Sequence, residues 1–260
     1  MLFRSLDRAL EANAKNARAL TLKAAVLRRA GRVTEGADLL NRARDIDPLD
    51  PWPACERAIA AGAPPQIGGD DAQLWIEPAT DYMSASMWED AIAVLSAAQG
   101  GVRAHAMVQY TLAYCMEKAS KVDEASATYA LAAQCSPDHV FPFRRESFAI
   151  LRRARERNPR DGRAAYYLGN LFMLHGQTDQ AIARWEESSQ LNPEFALVHR
   201  NLALAHARKP EGMSRAIASM EKAVGLDAGE PRFCLELDQL YEAAGMATDK
   251  RLAFLEEHHA

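Results

Sequence analysis

The sequence predicts an all-α chain built from repeated helix-turn-helix units, and three observations predict it. Apolar residues recur three and four positions apart along most of the 260 residues, while the strict alternation of strands is nearly absent. Small residues return at matching places in successive segments, with large apolar ones between them. Gly and Asn-Pro or Asp-Pro pairs punctuate the pattern at regular distances.

The units run as follows. Leu2 to Ala14 reads as a lone amphipathic helix, the second half of a unit. Ala24, Leu27, Leu40, Ala43 and Pro48 mark the first whole unit. Pro48 to Gln73 holds prolines and glycines enough to allow only a short helix around Ala54 to Ala60, so it reads as a break. Ala79, Tyr82, Ala91, Leu95 and Ala98 form the next unit, and Leu112, Ala113, Met116, Ala125, Tyr129, Ala132 and Pro137 another. Pro137 and Pro142 then delay the chain, and one long helix from about Phe143 to Arg157 reads as a spacer.

The clearest unit follows. Arg163 to His175 forms a helix with Leu168, Leu171 and Phe172 on one face, and Gly176 stops it. Thr178 is placed to cap a second helix from Asp179 to Gln190, whose inner face carries Ala181, Ile182, Trp185 and Ser188. Asn192-Pro193 ends it. Leu202, Ala203, His206, Ala216, Met220 and Ala223 repeat the pattern with about one extra residue in the turn, and Leu237, Tyr241 and Phe254 mark a degraded last unit.

This pattern resembles the tetratricopeptide repeat, a helix-turn-helix unit of about 34 residues. The resemblance implies a right-handed superhelical solenoid of about six units with two irregular interruptions. Small residues let the two helices of a unit touch and large ones fill the gaps. The expected organisation is an N-terminal partial stack over 1–49, a Pro/Gly-rich break over 50–73, a middle pair over 74–138, an Arg-rich spacer helix over 139–160 and a C-terminal stack over 161–260.

Composition excludes several function classes. The formal net charge is −4, which argues against nucleic acid or an anionic membrane as partner. No run of apolar residues is long enough to span a bilayer, and no secretory leader is legible at the start. Cys55, Cys115, Cys135 and Cys234 lack metal or redox spacing and read as reduced thiols, consistent with a bacterial-type cytoplasm. No catalytic or cofactor motif is present, so the chain reads as non-enzymatic, with no cofactor and no metal. His199 and His206 fall two turns apart without a third ligand, and His258 and His259 lie at the terminus.

The resemblance places the first helix of each unit along a concave face. Residues there are Arg163, Tyr166, Asn170 and Met173, then Leu197, Arg200, Asn201, Leu204 and Arg208, then Arg232, Leu235 and Gln239. Guanidinium for a carboxylate, amide for a peptide backbone and apolar side chains between them suit a peptide or protein segment. One subfamily clamps a chain-terminal carboxylate with Lys, Asn and Arg. This chain has Asn170, Asn201 and Arg232 in place, but Tyr166 and Glu236 stand where the clamp needs cations.

Two further expectations stand beside the groove. Arg144, Arg145, Arg152, Arg153 and Arg155 open an Arg144–Arg163 strip that could hold an anion or nucleic acid, or simply form a solvated helix face over Phe148, Ile150 and Leu151. The run from Phe141 to His206, with "YYLGN" and the later "LELDQLYEAAG", is similar to the C-terminal arrays of bacterial proteins that carry an N-terminal β-rich domain of unknown function. That resemblance implies the helical portion of a larger carbohydrate-active protein. The unpartnered first helix also suggests a cut chain or a homo-oligomer formed there.

Overall fold

The computed structural model describes residues 2–258. Packing divides them at Val140 into two compact units. In the first, the helices are α1 (Leu2–Ala12), α2 (Ala17–Arg29), α3 (Val33–Ile46), α4 (Trp52–Ala60), α5 (Gln73–Ser84), α6 (Trp88–Ser96), α7 (Gly100–Arg103), α8 (Ala106–Lys118) and α9 (Val122–Ala132). In the second they are α10 (Glu146–Arg157), α11 (Gly162–Leu174), α12 (Thr178–Leu191), α13 (Ala196–Ala207), α14 (Met213–Leu226), α15 (Pro231–Ala243) and α16 (Thr248–Glu257). No strand forms among the described residues, and each unit is a stack of helical hairpins. None of these helices is long and apolar enough to cross a membrane.

One turn geometry closes most of the hairpins. After α2, the Gly31 N–H donates to the Arg28 carbonyl and the Arg32 N–H to that of Leu27, both at 2.9 Å. The same pair of bonds follows α5 through Ser86 and Met87, α8 through Ser120 and Lys121, α11 through Gly176 and Gln177, and α15 through Gly245 and Met246. This is the Schellman ending, which satisfies the last carbonyls of a helix and needs one residue in the left-handed region. That residue is Gly31, Gly176 or Gly245 in three turns, and Ser86 (φ 57°) or Ser120 (φ 66°) in two others. The longer turn between α13 and α14 puts Glu211 there instead, at φ 58°.

The cores are layers of small against large side chains. Ala43, Ala79, Ala91, Ala113, Ala132, Ala181, Ala203, Ala216 and Ala223 are completely buried. Among them sit Tyr82, Leu95, Tyr110, Leu171 and Met220, also completely buried. A Cβ added to Gly36 of α3 would stand 3.4 Å from the Ala24 Cβ of α2, so these helices meet almost backbone to backbone.

The first unit also contains a buried ionic cluster. Glu56 on α4 is 1% exposed. It accepts from Arg28 Nε at 2.6 Å and from Tyr82 OH at 2.7 Å. Arg28 reaches Asp90 of α6 at 3.0 Å, and Arg29 closes on the other Asp90 oxygen. Burial pushes the Glu56 carboxyl upward, while the bonds from Arg28 and Tyr82 pull it back. Four helices, α2, α4, α5 and α6, are thereby held in one register.

The structure corrects several local expectations. Thr178 does not cap its helix; it is the first residue of α12, and Gln177 stands at the cap without a side-chain bond. The Gln177 N–H closes the end of α11 on the Phe172 carbonyl, which sets the start of α12 one residue earlier than the cap the sequence suggested. The Arg-rich helix starts at Glu146 rather than Phe143, because the chain around Pro142 stays irregular. The short helix of the break starts at Trp52, with Pro53 tolerated in its first turn, where no N–H is required. His259 lies outside the described residues.

The shared turn makes a paired prediction. Ser120→Gly relieves a left-handed non-glycine residue and should raise stability by about 0.5–1 kcal/mol. Gly176→Ala, with open space around the new methyl, should cost about 1 kcal/mol through backbone strain alone. Urea unfolding of the two variants beside the parent measures both; equal midpoints would contradict the argument.

Candidate functional site

The site is assembled on α11, α13 and α15 of the second unit. Asp161 starts α11 by accepting the Ala164 N–H at 2.9 Å, which fixes the helix from Gly162 onward. Gly169 then sets how α12 meets α11. A Cβ there would fall 2.4 Å from Trp185 Cδ1, so only glycine admits the indole. Ser188 of α12 replaces the usual small apolar residue and settles its hydroxyl on the Gly162 carbonyl at 2.7 Å.

Trp185 fixes the polar groups on the opposite side of α11. Its Nε1 donates to the Tyr166 carbonyl at 3.2 Å and to Asn170 Oδ1 at 3.1 Å. An indole N–H only donates, so the Asn170 oxygen faces inward and its NH2 is left toward the face. Asn201 of α13 donates to the same Asn170 oxygen at 3.1 Å and reaches Tyr166 OH at 3.4 Å. The Asn170 amide also donates toward the Tyr166 hydroxyl, which occupies one of the two hydrogens of its NH2.

Arg163 lies one turn before Tyr166. Its guanidinium sits 3.7 Å from the centroid of the Phe195 ring, and Phe195 meets Tyr166 edge to face at 4.8 Å. The buried Arg163 Nη1 has no hydrogen-bond partner among the described residues. Arg200 differs: its guanidinium grips Glu236 of α15 with two bonds, Nε at 2.7 Å, and that contact raises its pKa. Its charge is therefore closed within the chain. Met173, Leu197 and Leu204 are half-buried along the same row, and Leu235 is 56% exposed. Arg208 and Arg232 are exposed at the margin; Arg208 approaches Met173 Sδ, and Arg232 stands 3.6 Å from Glu230.

The five arginines of the strip do not form one surface. Arg144 lies over the Phe143 ring at 5.2 Å, and Arg145 is exposed just before α10. Arg153 pairs with Glu156 at 2.6 Å. The Arg155 side chain is 13% exposed and turned toward Glu187 of α12, while Arg152 lies against Phe148 and Phe172. Arg184 of α12 comes into the same neighbourhood and was not legible in sequence, since only packing of α12 on α11 brings it there.

The two histidines read as a possible pair do structural work. His199 Nε2 donates to the Pro193 carbonyl at 2.9 Å, tying α13 to the end of the preceding unit. His206 is buried in the core of its hairpin. Burial lowers both pKa values. No metal-ligand cluster occurs among the described residues.

In the first unit a cleft of about 450 Å³ opens beside α3, with Ala24, Gly36, Leu40 and the Arg28–Glu56 pair in its lining.

Comparison with known proteins gives the repeats their family. A model described as tetratricopeptide repeat matches residues 4–51 and 145–185, and one described as TPR repeat matches 169–209. The chain therefore contains tetratricopeptide repeats in both units, and the all-α hairpin fold is that of the repeat. No curated protein sequence matches the chain. Among solved structures, YrrB, described as a TPR protein with an unusual peptide-binding site, is 17% identical with a TM-score of 0.35, covering 90% of this chain and 97% of its own. A structure described as MamA AMB-1 is 17% identical with a TM-score of 0.40, covering 72% of this chain and 89% of its own. Yeast Tom70 is 14% identical with a TM-score of 0.40, covering 98% and 53%.

Two predictions follow from the geometry. Gly169→Ala displaces the indole and should cost about 2 kcal/mol in urea unfolding; an unchanged midpoint would mean Trp185 repacks freely. The lowered pKa values of His199 and His206 favour the neutral rings in the folded state. Their stability is complete above the ordinary value of 6.5 and is lost as pH falls below it. Unfolding midpoints taken from about pH 8 to pH 5 should therefore fall less steeply for the double variant His199→Gln/His206→Gln than for the parent.

Proposed function

Taking the tetratricopeptide repeats as premise, we propose that the chain is a protein-interaction scaffold that holds an extended segment of a partner along α11, α13 and α15. The observation that supports this is a buried, unpartnered guanidinium N–H on the same face of α11 as a side-chain amide. The buried Arg163 Nη1 has no acceptor among the described residues, and the Asn170 amide, with one hydrogen toward Tyr166, carries a second hydrogen. A buried donor without an acceptor carries a desolvation cost that a ligand oxygen removes. A backbone carbonyl suits Asn170 and a carboxylate suits Arg163, whose planar fork is already oriented by Phe195.

The rest of the row divides the work. Met173, Leu204 and Leu235 offer apolar surface for alternate side chains of the segment. Asn201 and Tyr166 hold Asn170 in place. Arg200 belongs to the wall, since Glu236 neutralises it, and Arg208 and Arg232 form the rim. A rigid face with few mobile side chains lowers the ordering cost of binding.

Asn170→Asp tests the reading cleanly. It keeps the oxygen that Trp185 and Asn201 need and deletes the donor offered to a ligand. Peptides selected from a random library on the intact chain should bind Asn170→Asp and Arg163→Gln about tenfold more weakly by fluorescence anisotropy. Melting temperatures should stay close to the parent. Selected peptides that bind both variants as tightly as the parent would move the function to another face.

A further inference from the structure

The second unit carries another pocket, on a different face of α11 from the row just described. It is a cavity of about 250 Å³ between α10, α11 and α12, with Leu168 and Phe172 in its floor and Arg152, Gln180, Ala183 and Arg184 around it. Phe148 extends the apolar side, 5.2 Å from Phe172 ring to ring.

Its charge is unbalanced. Arg152 has no carboxylate partner among the described residues; its guanidinium lies 5.7 Å from the Phe148 centroid and 6.0 Å from that of Phe172. Arg184 donates to Glu187 at 2.6 Å, but the same carboxylate also accepts from Arg155. One anion thus serves two guanidiniums, and a third stands beside them unpaired. Aromatic rings behind Arg152 hold the fork in place without neutralising it.

We propose that this pocket docks an acidic segment of a partner protein through a glutamate side chain. The methylenes of glutamate match the Leu168 and Phe172 floor, and its carboxylate meets Arg152 and Arg184, with Gln180 as a further donor. The volume favours one side chain: it lies below the roughly 300–1,000 Å³ of sites that enclose drug-sized ligands. The pocket is independent of the row on α11, α13 and α15, because Arg163, Tyr166 and Asn170 take no part in its lining.

The test uses the intact chain and a fluorescein-labelled peptide of alternating Glu and Leu, with a Gln-for-Glu peptide as control. The Glu peptide should bind, the Gln peptide should not, and Arg152→Gln/Arg184→Gln should weaken binding at least about tenfold. Arg152→Lys, which keeps the charge but not the fork, should fall between the parent and Arg152→Gln. Asn170→Asp should bind the Glu peptide like the parent, which separates this pocket from the groove. Equal binding of the two peptides, or undiminished binding by the double variant with its melting temperature intact, overturns the proposal. So does a labelled single-stranded oligonucleotide that binds more tightly than the Glu peptide and is lost in the same double variant.

Discussion

Everything in this protein rests on how closely the two helices of each hairpin approach. Gly169 against Trp185 leaves no room for a further methyl group, and Gly36 against Ala24 leaves only a tight fit for one. Such contact is available only where one partner is small, and it is what gives the large residues beside it a fixed hole to fill. The left-handed turn residue serves the same end. By closing the last carbonyls of one helix within a few residues, it sends the chain back along the helix it has just left.

The polar groups follow from that packing. Trp185 is seated by Gly169, and its donor-only N–H dictates which way Asn170 points. Asn170 in turn receives Asn201 from the neighbouring hairpin. One glycine therefore settles the orientation of an amide three helices deep in the same network. The buried Arg28–Glu56–Asp90 cluster plays a comparable part in the first unit, where it adds to the apolar packing of Trp52 on Tyr82 that seats α4. Removing one member of such a cluster leaves an uncompensated buried charge, at a cost of about 3–5 kcal/mol.

The basic residues show why charge runs are poor guides to surfaces. Arg152, Arg153 and Arg155 are near neighbours in sequence, yet one lies on aromatic rings, one pairs within its own helix and one turns toward α12. A helix spreads consecutive residues around its axis, so a run of like charge is dispersed unless its spacing is three or four. Arg152 gains its neighbour from Arg184, 32 positions on in the chain and on a different helix.

The helices, their pairing within hairpins and the small-large alternation of the cores were written in the sequence, because each depends on local periodicity and on Gly or Pro punctuation. That Arg163, Tyr166 and Asn170 share one side of α11 was legible for the same reason, since it follows from helical spacing alone. Their electrostatic state was not. That Glu236 closes Arg200 while Arg163 keeps a buried donor, and that Arg152 and Arg184 line one pocket, depends on which side chains adjacent helices bring together. The ladder of a single helix carries no information about its neighbour's charges; only the packed hairpins decide them.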